Sequence, residues 1–290
     1  MQGTVDGFRY GLVTPLVAYL MACLGGALGL RCTTRSMIVA GSWRPGWLAL
    51  GSAAIGSGIW TMHFVAMMGF TVEQAPIHYD KPMTFASLAV AIVMVGVGIF
   101  IVGYKGASGA ALFTGGTITG LGIASMHYLG MAGLRLDGTL EYNTLTVAAS
   151  VVVAMAAATA ALWAAGQVKG ILWSVGASLV MGLAVTGMHY MGMAALSVHL
   201  HTTGDPATGD STTGLLALML VGPLAFLLLA GVVVLFDPLM VTKPDWAHVE
   251  QKPGVPAHPH PDIHHPGHRS SPRIRRHVSE RGGSRTPQNR

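Results

Sequence analysis

Hydrophobic residues in this chain form long unbroken runs rather than alternating patterns. Seven runs lack Asp, Glu, Lys and Arg: roughly 10–30, 48–70, 83–104, 110–133, 145–165, 172–196 and 215–236. A run of about 20 apolar residues is long enough to cross a bilayer as a helix. Strands of a membrane barrel would alternate apolar and polar positions. The pattern therefore predicts an all-α membrane protein with seven transmembrane helices. The first run also fits a signal peptide, but its basic flank is weak, so we interpret it as a helix.

Composition and charge support a multi-pass protein in the lipid bilayer. Hydrophobic residues make up 51% of the chain and charged residues 10%, against about 25% charged in soluble domains. The segments 31–47, 103–109 and 166–171 are basic and contain no acids, whereas the alternate loops hold most of the acidic residues. Because basic loops stay in the cytoplasm, we predict an outside N-terminus and a cytoplasmic C-terminus. The net charge of +5 then reflects topology and a basic tail, not nucleic-acid binding.

The last 50 residues differ in composition from the rest of the chain. They are rich in proline and histidine, carry an excess of basic residues and show no apolar periodicity. Such a segment cannot bury enough apolar surface to fold. We predict a membrane domain over 1–240 and a disordered cytoplasmic tail over 241–290.

One short phrase recurs three times, as TMHFVAMMGF, SMHYLGMAGL and GMHYMGMAAL. Its histidines, His63, His127 and His189, are 64 and 62 residues apart. A period of this length holds two membrane helices and their loops, which predicts three parallel two-helix repeats plus a seventh helix. A glycine stands seven residues before each histidine, where a small residue lets helices approach closely.

Each repeat places a histidine and a methionine on one helix face, because residues i and i+4 are neighbours on a helix. The methionine directly before the histidine is turned about 100° away. If the even-numbered helices converge, three histidines and three methionines point at one space. A buried histidine can also simply hydrogen-bond a neighbouring helix. Three copies in one register favour a functional cluster, since ionisable groups inside a membrane usually mark function.

The residue types narrow the chemistry to a metal. The membrane segments contain no carboxylate that would form a proton relay with the histidines. Imidazole suits zinc, copper and iron, and a thioether selects copper. Haem is the second candidate, because His and Met both serve as axial ligands. Zinc is the third, since it prefers thiolate or carboxylate to thioether.

The motif resembles that of the MHYT domain, a bacterial integral membrane sensor domain, over roughly residues 8–240. The matching residues are Met126-His127-Tyr128, Met188-His189-Tyr190 and Met62-His63-Phe64. The resemblance implies a bacterial inner-membrane protein that binds copper to sense oxygen, carbon monoxide or nitric oxide. Carried over, the candidate metal ligands are Met62, His63, Met67, Met126, His127, Met131, Met188, His189 and Met193.

The output side of such a sensor is not evident in the sequence. Better-known family members continue into a cyclic-di-GMP, kinase or DNA-binding domain, whereas only the tail follows the seventh run here. We therefore expect a stand-alone, non-enzymatic sensor that a separate cytoplasmic partner reads. The alternative is a membrane protein for copper transport or storage, and a haem or redox enzyme is a weaker third interpretation.

Overall fold

The structure is a computed structural model, and it describes residues 5–6, 9–39, 43–72, 77–167, 171–200 and 212–237. These residues belong to one compact unit, Met1–Lys243. The predicted domain boundary at residue 240 and the histidine-rich tail lie outside the described residues, so both stay predictions.

Seven helices are long and apolar enough to cross a membrane in the described part of the chain. They are α1 (Val13–Ile38), α2 (Arg44–Met68), α3 (Lys81–Lys105), α4 (Gly109–Ala132), α5 (Thr144–Gln167), α6 (Ile171–Ala194) and α7 (Thr212–Leu235). The predicted seven-helix membrane fold is confirmed. The largest difference is at α1, which continues past the apolar run as far as Ile38. Cys23 and Cys32 lie buried in that helix as free thiols.

Side-chain caps mark where three of the helices begin. The Asp80 carboxylate accepts a hydrogen bond from the backbone N–H of Met83 at 3.0 Å. Ser108 caps α4 in the same way, and the Asn143 side chain accepts from the N–H of Thr146 at 3.1 Å before α5. These residues bind backbone donors that the first helical turn leaves free, so each helix starts at a defined residue.

Short antiparallel strands, which the hydrophobic pattern did not predict, close each repeat at one end. They pair as β1 (Val5–Asp6) with β2 (Thr71–Val72), β3 (His78–Tyr79) with β4 (Leu134–Arg135), and β5 (Gly138–Tyr142) with β6 (Leu196–Leu200). In each pair, one strand precedes the odd-numbered helix and the other follows the even-numbered helix. The repeat is therefore strand–helix–helix–strand. We call this end of the bundle the strand end and the opposite end the tail end.

Glycines on the even-numbered helices close the three repeats into a ring. A Cβ at Gly56 would lie 2.8 Å from the Ile92 Cα of α3, and one at Gly120 would lie 2.4 Å from the Met155 Cα of α5. A Cβ at Gly182 would lie 2.4 Å from the Cys23 sulfur of α1. Each even-numbered helix thus packs against the odd-numbered helix of the next repeat, and α6 returns to α1. The predicted packing role of these glycines is confirmed.

The seventh helix lies outside this ring, against α2 and α1. Asp237, just after α7, forms a buried ion pair with Arg35 in the last turn of α1. The guanidinium carbon of Arg35 also lies 5.6 Å from the centre of the Trp47 ring of α2. The ion pair therefore holds the tail end of α7 against the first repeat.

Candidate metal centre

The three motif histidines meet at the centre of the bundle. His63, His127 and His189 lie on α2, α4 and α6, each five residues before the last residue of its helix. They are 1%, 1% and 2% exposed. Their Nδ1 atoms are 3.0 Å apart for His63 and His189, 3.2 Å for His63 and His127, and 3.3 Å for His127 and His189. We call these three residues the histidine triad.

The triad cannot satisfy its own nitrogen atoms by hydrogen bonding. A neutral imidazole carries one N–H, so each Nδ1 either donates or accepts. If one Nδ1 carries a hydrogen and donates to the other two, the lone pairs of those two nitrogens face each other and repel. If two of the Nδ1 atoms carry hydrogens, their N–H groups face each other and clash. Buried polar groups without a partner are costly. A cation that accepts all three lone pairs removes this conflict.

The nitrogen spacing fits one metal ion. Metal–imidazole bonds are about 2.0–2.1 Å long, so three nitrogens on a tetrahedral ion lie about 3.3–3.4 Å apart. The observed separations of 3.0–3.3 Å need to widen by only a few tenths of an ångström. In the described part of the chain, the triad is the only group of three or more His, Cys, Asp or Glu side chains whose ligand atoms lie close enough to share one ion. A four-coordinate ion held by the three histidines would accept one further ligand.

The opposite edges of two rings lie against glycine. A Cβ at Gly130 would lie 2.8 Å from Nε2 of His63, and a Cβ at Gly192 would lie 2.5 Å from Nε2 of His127. Both glycines stand three residues after a motif histidine, where the first repeat has the buried Ala66. The recurring phrase thus has a small residue at this position in all three repeats. The structure shows that the two glycines make room for the ring of the preceding repeat.

Neither of these two Nε2 atoms has a hydrogen-bond partner among the described residues. Metal-binding histidines usually donate their second N–H to a carboxylate or carbonyl. Here the rings are held instead by packing against the glycine backbone and the aromatic residues that follow the motif histidines.

The predicted methionine ligands all belong to the main hydrophobic core or pack against it. Met62, Met67, Met126, Met131 and Met188 are at most 2% exposed, and Met193 is partly buried. The structure brings the three histidines into contact, whereas coordination by the thioethers stays a prediction.

Aromatic side chains cover the triad towards the strand end. Phe64, Tyr128 and Tyr190 each meet their own motif histidine edge to face, with ring centres 4.6–5.0 Å apart. Two strand tyrosines continue this cover, because Tyr79 meets Phe64 and Tyr142 meets Tyr128, both at 5.9 Å. We call these five residues the aromatic collar. Sequence reasoning missed Tyr79 and Tyr142, because the strands that carry them have no periodic signal.

Two tyrosines of the collar stay protonated, and a third is hydrogen-bonded to α5. Burial raises the pKa of Tyr142 to about 12 and also raises the pKa of Tyr79, so both stay protonated at neutral pH. Ser150 donates to a backbone carbonyl, so the Tyr128 hydroxyl donates to Ser150 Oγ at 2.7 Å. The collar therefore separates the triad from the strand-end surface.

The other histidines near the strand end do not join the triad. His78 pairs with Arg135 in the β3–β4 ribbon. His199 Nε2 lies 3.4 Å from Glu141 across the β5–β6 ribbon, where both side chains are exposed. His201 lies outside the described residues.

The chain matches known proteins over most of its membrane region. The family model described as "Bacterial signalling protein N terminal repeat" (MHYT) matches residues 56–115 and 120–178. A bifunctional diguanylate cyclase/cyclic di-GMP phosphodiesterase, MucR of Pseudomonas aeruginosa, is 34% identical over 79% of this chain and 34% of its own length. The cyclic di-GMP phosphodiesterase NbdA of the same species is 33% identical over 74% of this chain and 30% of its own length.

A third relative is the signaling protein YkoW of Bacillus subtilis, which is 30% identical over 66% of this chain and 24% of its own length. The chain thus spans about a third or less of these curated relatives. No solved structure matches it significantly.

Proposed function

Because the chain belongs to the MHYT family of bacterial membrane signalling proteins, we propose that it is a sensor whose histidine triad binds one metal ion, with copper the best fit. The observation that carries the proposal is the meeting of three buried Nδ1 atoms within 3.0–3.3 Å. Copper, when bound, supplies one-electron chemistry and a coordination position for a diatomic gas such as O₂, CO or NO. His63, His127 and His189 would hold the ion, and the aromatic collar would exclude water.

The choice of copper rests on what surrounds the triad. Three imidazoles alone suit zinc, copper or iron, and the nearby thioethers favour copper. The fit favours a bare ion over haem, because the ring centres of the triad are only 4.9–5.1 Å apart. This separation leaves no space between the rings for a porphyrin.

The proposed signal is a change in helix packing. Each triad histidine lies on a different even-numbered helix, so any change in the spacing of the rings moves α2, α4 and α6 relative to one another. Helix α2 packs against α7, and the Arg35–Asp237 pair joins the end of α7 to α1. A shift at the triad would thus reach the tail end, where a cytoplasmic partner or an attached output domain would detect it. We propose no catalytic role for the membrane region itself.

We propose an orientation with the strand end outside and the tail end in the cytoplasm, because the basic residues lie near the tail end.

The alternative function, copper transport or storage, gains no support from the layer next to the triad. Ile59, Ile123 and Val185 stand there, one turn towards the tail end, and none of these side chains offers a metal ligand. Copper uptake into proteoliposomes would be needed to favour transport.

The test is metal binding by the detergent-purified protein after copper loading. We expect about one copper per chain in the wild type and in His199→Ala, which removes a histidine outside the triad. We expect loss of copper in His127→Ala and in the triple His63/His127/His189→Ala variant. Size-exclusion elution and helical circular dichroism establish that each variant is folded.

Two outcomes would contradict the proposal. Copper that stays bound to the folded triple variant would place the site elsewhere, and a wild type that takes up no copper would leave the triad as a packing element. Tighter binding of Zn²⁺ than of Cu(I) would remove the copper part. With the site established, an infrared C–O stretch after CO addition would test gas binding.

A further inference from the structure

An apolar cavity lies directly on the tail side of the histidine triad. Two layers of residues from α2, α4 and α6 line it, and they stand four and eight residues before the motif histidines. The first layer is Ile59, Ile123 and Val185, and the second is Ile55, Thr119 and Met181. Four helical residues rise about 6 Å, so the cavity begins one turn from the proposed metal site.

The odd-numbered helices complete the wall of this cavity. Leu30 comes from α1, Val95 and Ile99 from α3, and Ala158 and Ala161 from α5. All six helices of the three repeats therefore surround one central space. Four of the five α5 residues in the wall are alanines and the fifth is Leu162, whereas α3 contributes Val95 and Ile99.

The size of the cavity suits a very small molecule. The space open to the centre of a water-sized sphere is about 30 Å³, whereas one water needs roughly 10–15 Å³ by this measure. A site for water also needs two to four polar partners. The lining is aliphatic apart from Thr33, Thr119 and the Met181 thioether. Cavities of this type stay dry and take up apolar atoms such as xenon.

One polar group in the wall has no partner. The Thr119 hydroxyl is buried and makes no hydrogen bond with any described residue. Thr33, which also lines the cavity, donates to the Gly29 carbonyl at 2.8 Å, as helical threonines commonly do. The Thr119 Oγ1 lies against Gly98 of α3, where an added Cβ would be 1.9 Å from it, so the surface that faces the cavity is almost entirely apolar.

We propose that this cavity is an internal binding site for a small apolar gas molecule of about diatomic size, separate from the triad. Apolar gases partition into apolar space, and the cavity holds them within one helical turn of the histidines. A role for the cavity in supplying gas to a metal rests on the proposed function. Binding of an apolar gas in the cavity does not. The site is formed only when all three repeats are assembled.

The test uses xenon as the probe and metal-free full-length protein in lipid nanodiscs, measured by ¹²⁹Xe NMR exchange. Ala158→Leu places three additional carbons in the cavity. Ala160→Leu makes the same change on the same helix at an exposed position, so it controls for xenon dissolved in lipid. We expect a bound-xenon signal in the wild type and in Ala160→Leu, and loss of that signal in Ala158→Leu.

A second filling variant, Ala161→Leu, serves if Ala158→Leu does not fold, and it should also remove the signal. Thr119→Val keeps the volume and removes the hydroxyl, so it should still bind xenon. A wild-type signal equal to that of empty nanodiscs, or an unchanged signal in both filling variants, would overturn the proposal. Because no metal is present, these results are independent of whether copper binds the triad.

Discussion

The glycine that supports the His127 ring allows a quantitative test of the triad geometry. In Gly192→Ala, the new Cβ would lie 2.5 Å from His127 Nε2, whereas ordinary contact begins at 3.4 Å. The ring must therefore move by about 0.9 Å. A metal–nitrogen bond of about 2.0–2.1 Å does not tolerate such a shift. Removing a residue that only orients a metal-binding histidine weakens metal binding about 10–100-fold. We therefore expect Gly192→Ala to lower the affinity for Cu(I) by at least this factor.

The structure also supplies the controls for this experiment. Gly187→Ala is the same change on the same helix, and its Cβ would meet nothing within 4 Å. Gly130→Ala requires the His63 ring to move by only about 0.6 Å, so its effect should be intermediate. All three changes raise helix propensity, by about 1 kcal/mol each, which argues against unfolding as the cause of weaker binding.

The assay is competition for Cu(I) against a coloured chelator in detergent, with the wild type and the three variants side by side. The expected order of affinity is wild type and Gly187→Ala, then Gly130→Ala, then Gly192→Ala. Equal affinities for Gly192→Ala and Gly187→Ala would refute the reasoning, because they would show that the position of the His127 ring does not matter for binding.

Three further predictions concern the elements that hold the site. Tyr128→Phe removes the hydrogen bond to Ser150 and should cost about 1 kcal/mol of unfolding free energy; Ser150→Ala should add little to it in the double variant, and additive losses would contradict the bond. Asp237→Asn leaves Arg35 without its buried anion and should destabilise the docking of α7 by ~3–5 kcal/mol. Denaturant unfolding measures this loss, which the double replacement of both residues by apolar ones should largely reverse. The pKa of the Asp80 carboxyl is lowered first by the backbone N–H that it caps and then by Arg135. Asp80 therefore stabilises the folded state at pH values above the pKa of the unfolded chain. This stabilisation is lost as the pH falls through the lower pKa of the folded state. The protection factors of the amides in the first turn of α3, which correct for the intrinsic pH dependence of exchange, should fall as the pH drops below about 4. In Asp80→Asn, which keeps a cap, this fall should disappear; an unchanged pH response in the variant would exclude Asp80 as its source.

The helices and repeats could be predicted from the sequence, because each depends on local information. A run of about 20 apolar residues satisfies its own backbone as a helix in lipid wherever it packs. The three-fold recurrence of Met-His-[Phe/Tyr] likewise places each histidine at one register of its helix. The ribbons were missed because β1–β4 are two residues long, and their pairing joins segments more than 50 residues apart.

The sequence alone determined that seven helices cross the membrane, that six form three repeats, and that one histidine and its methionines recur at a common depth. Only the tertiary structure decided that the three imidazoles point their Nδ1 atoms at one another, that Gly130 and Gly192 make this approach possible, and that an apolar cavity opens beneath them. The physical reason is that helix periodicity fixes which face of a helix a side chain occupies, whereas the distance between faces depends on how closely neighbouring helices pack. That distance is set by contacts between repeats, such as Gly56 with Ile92, which no pattern within one helix specifies.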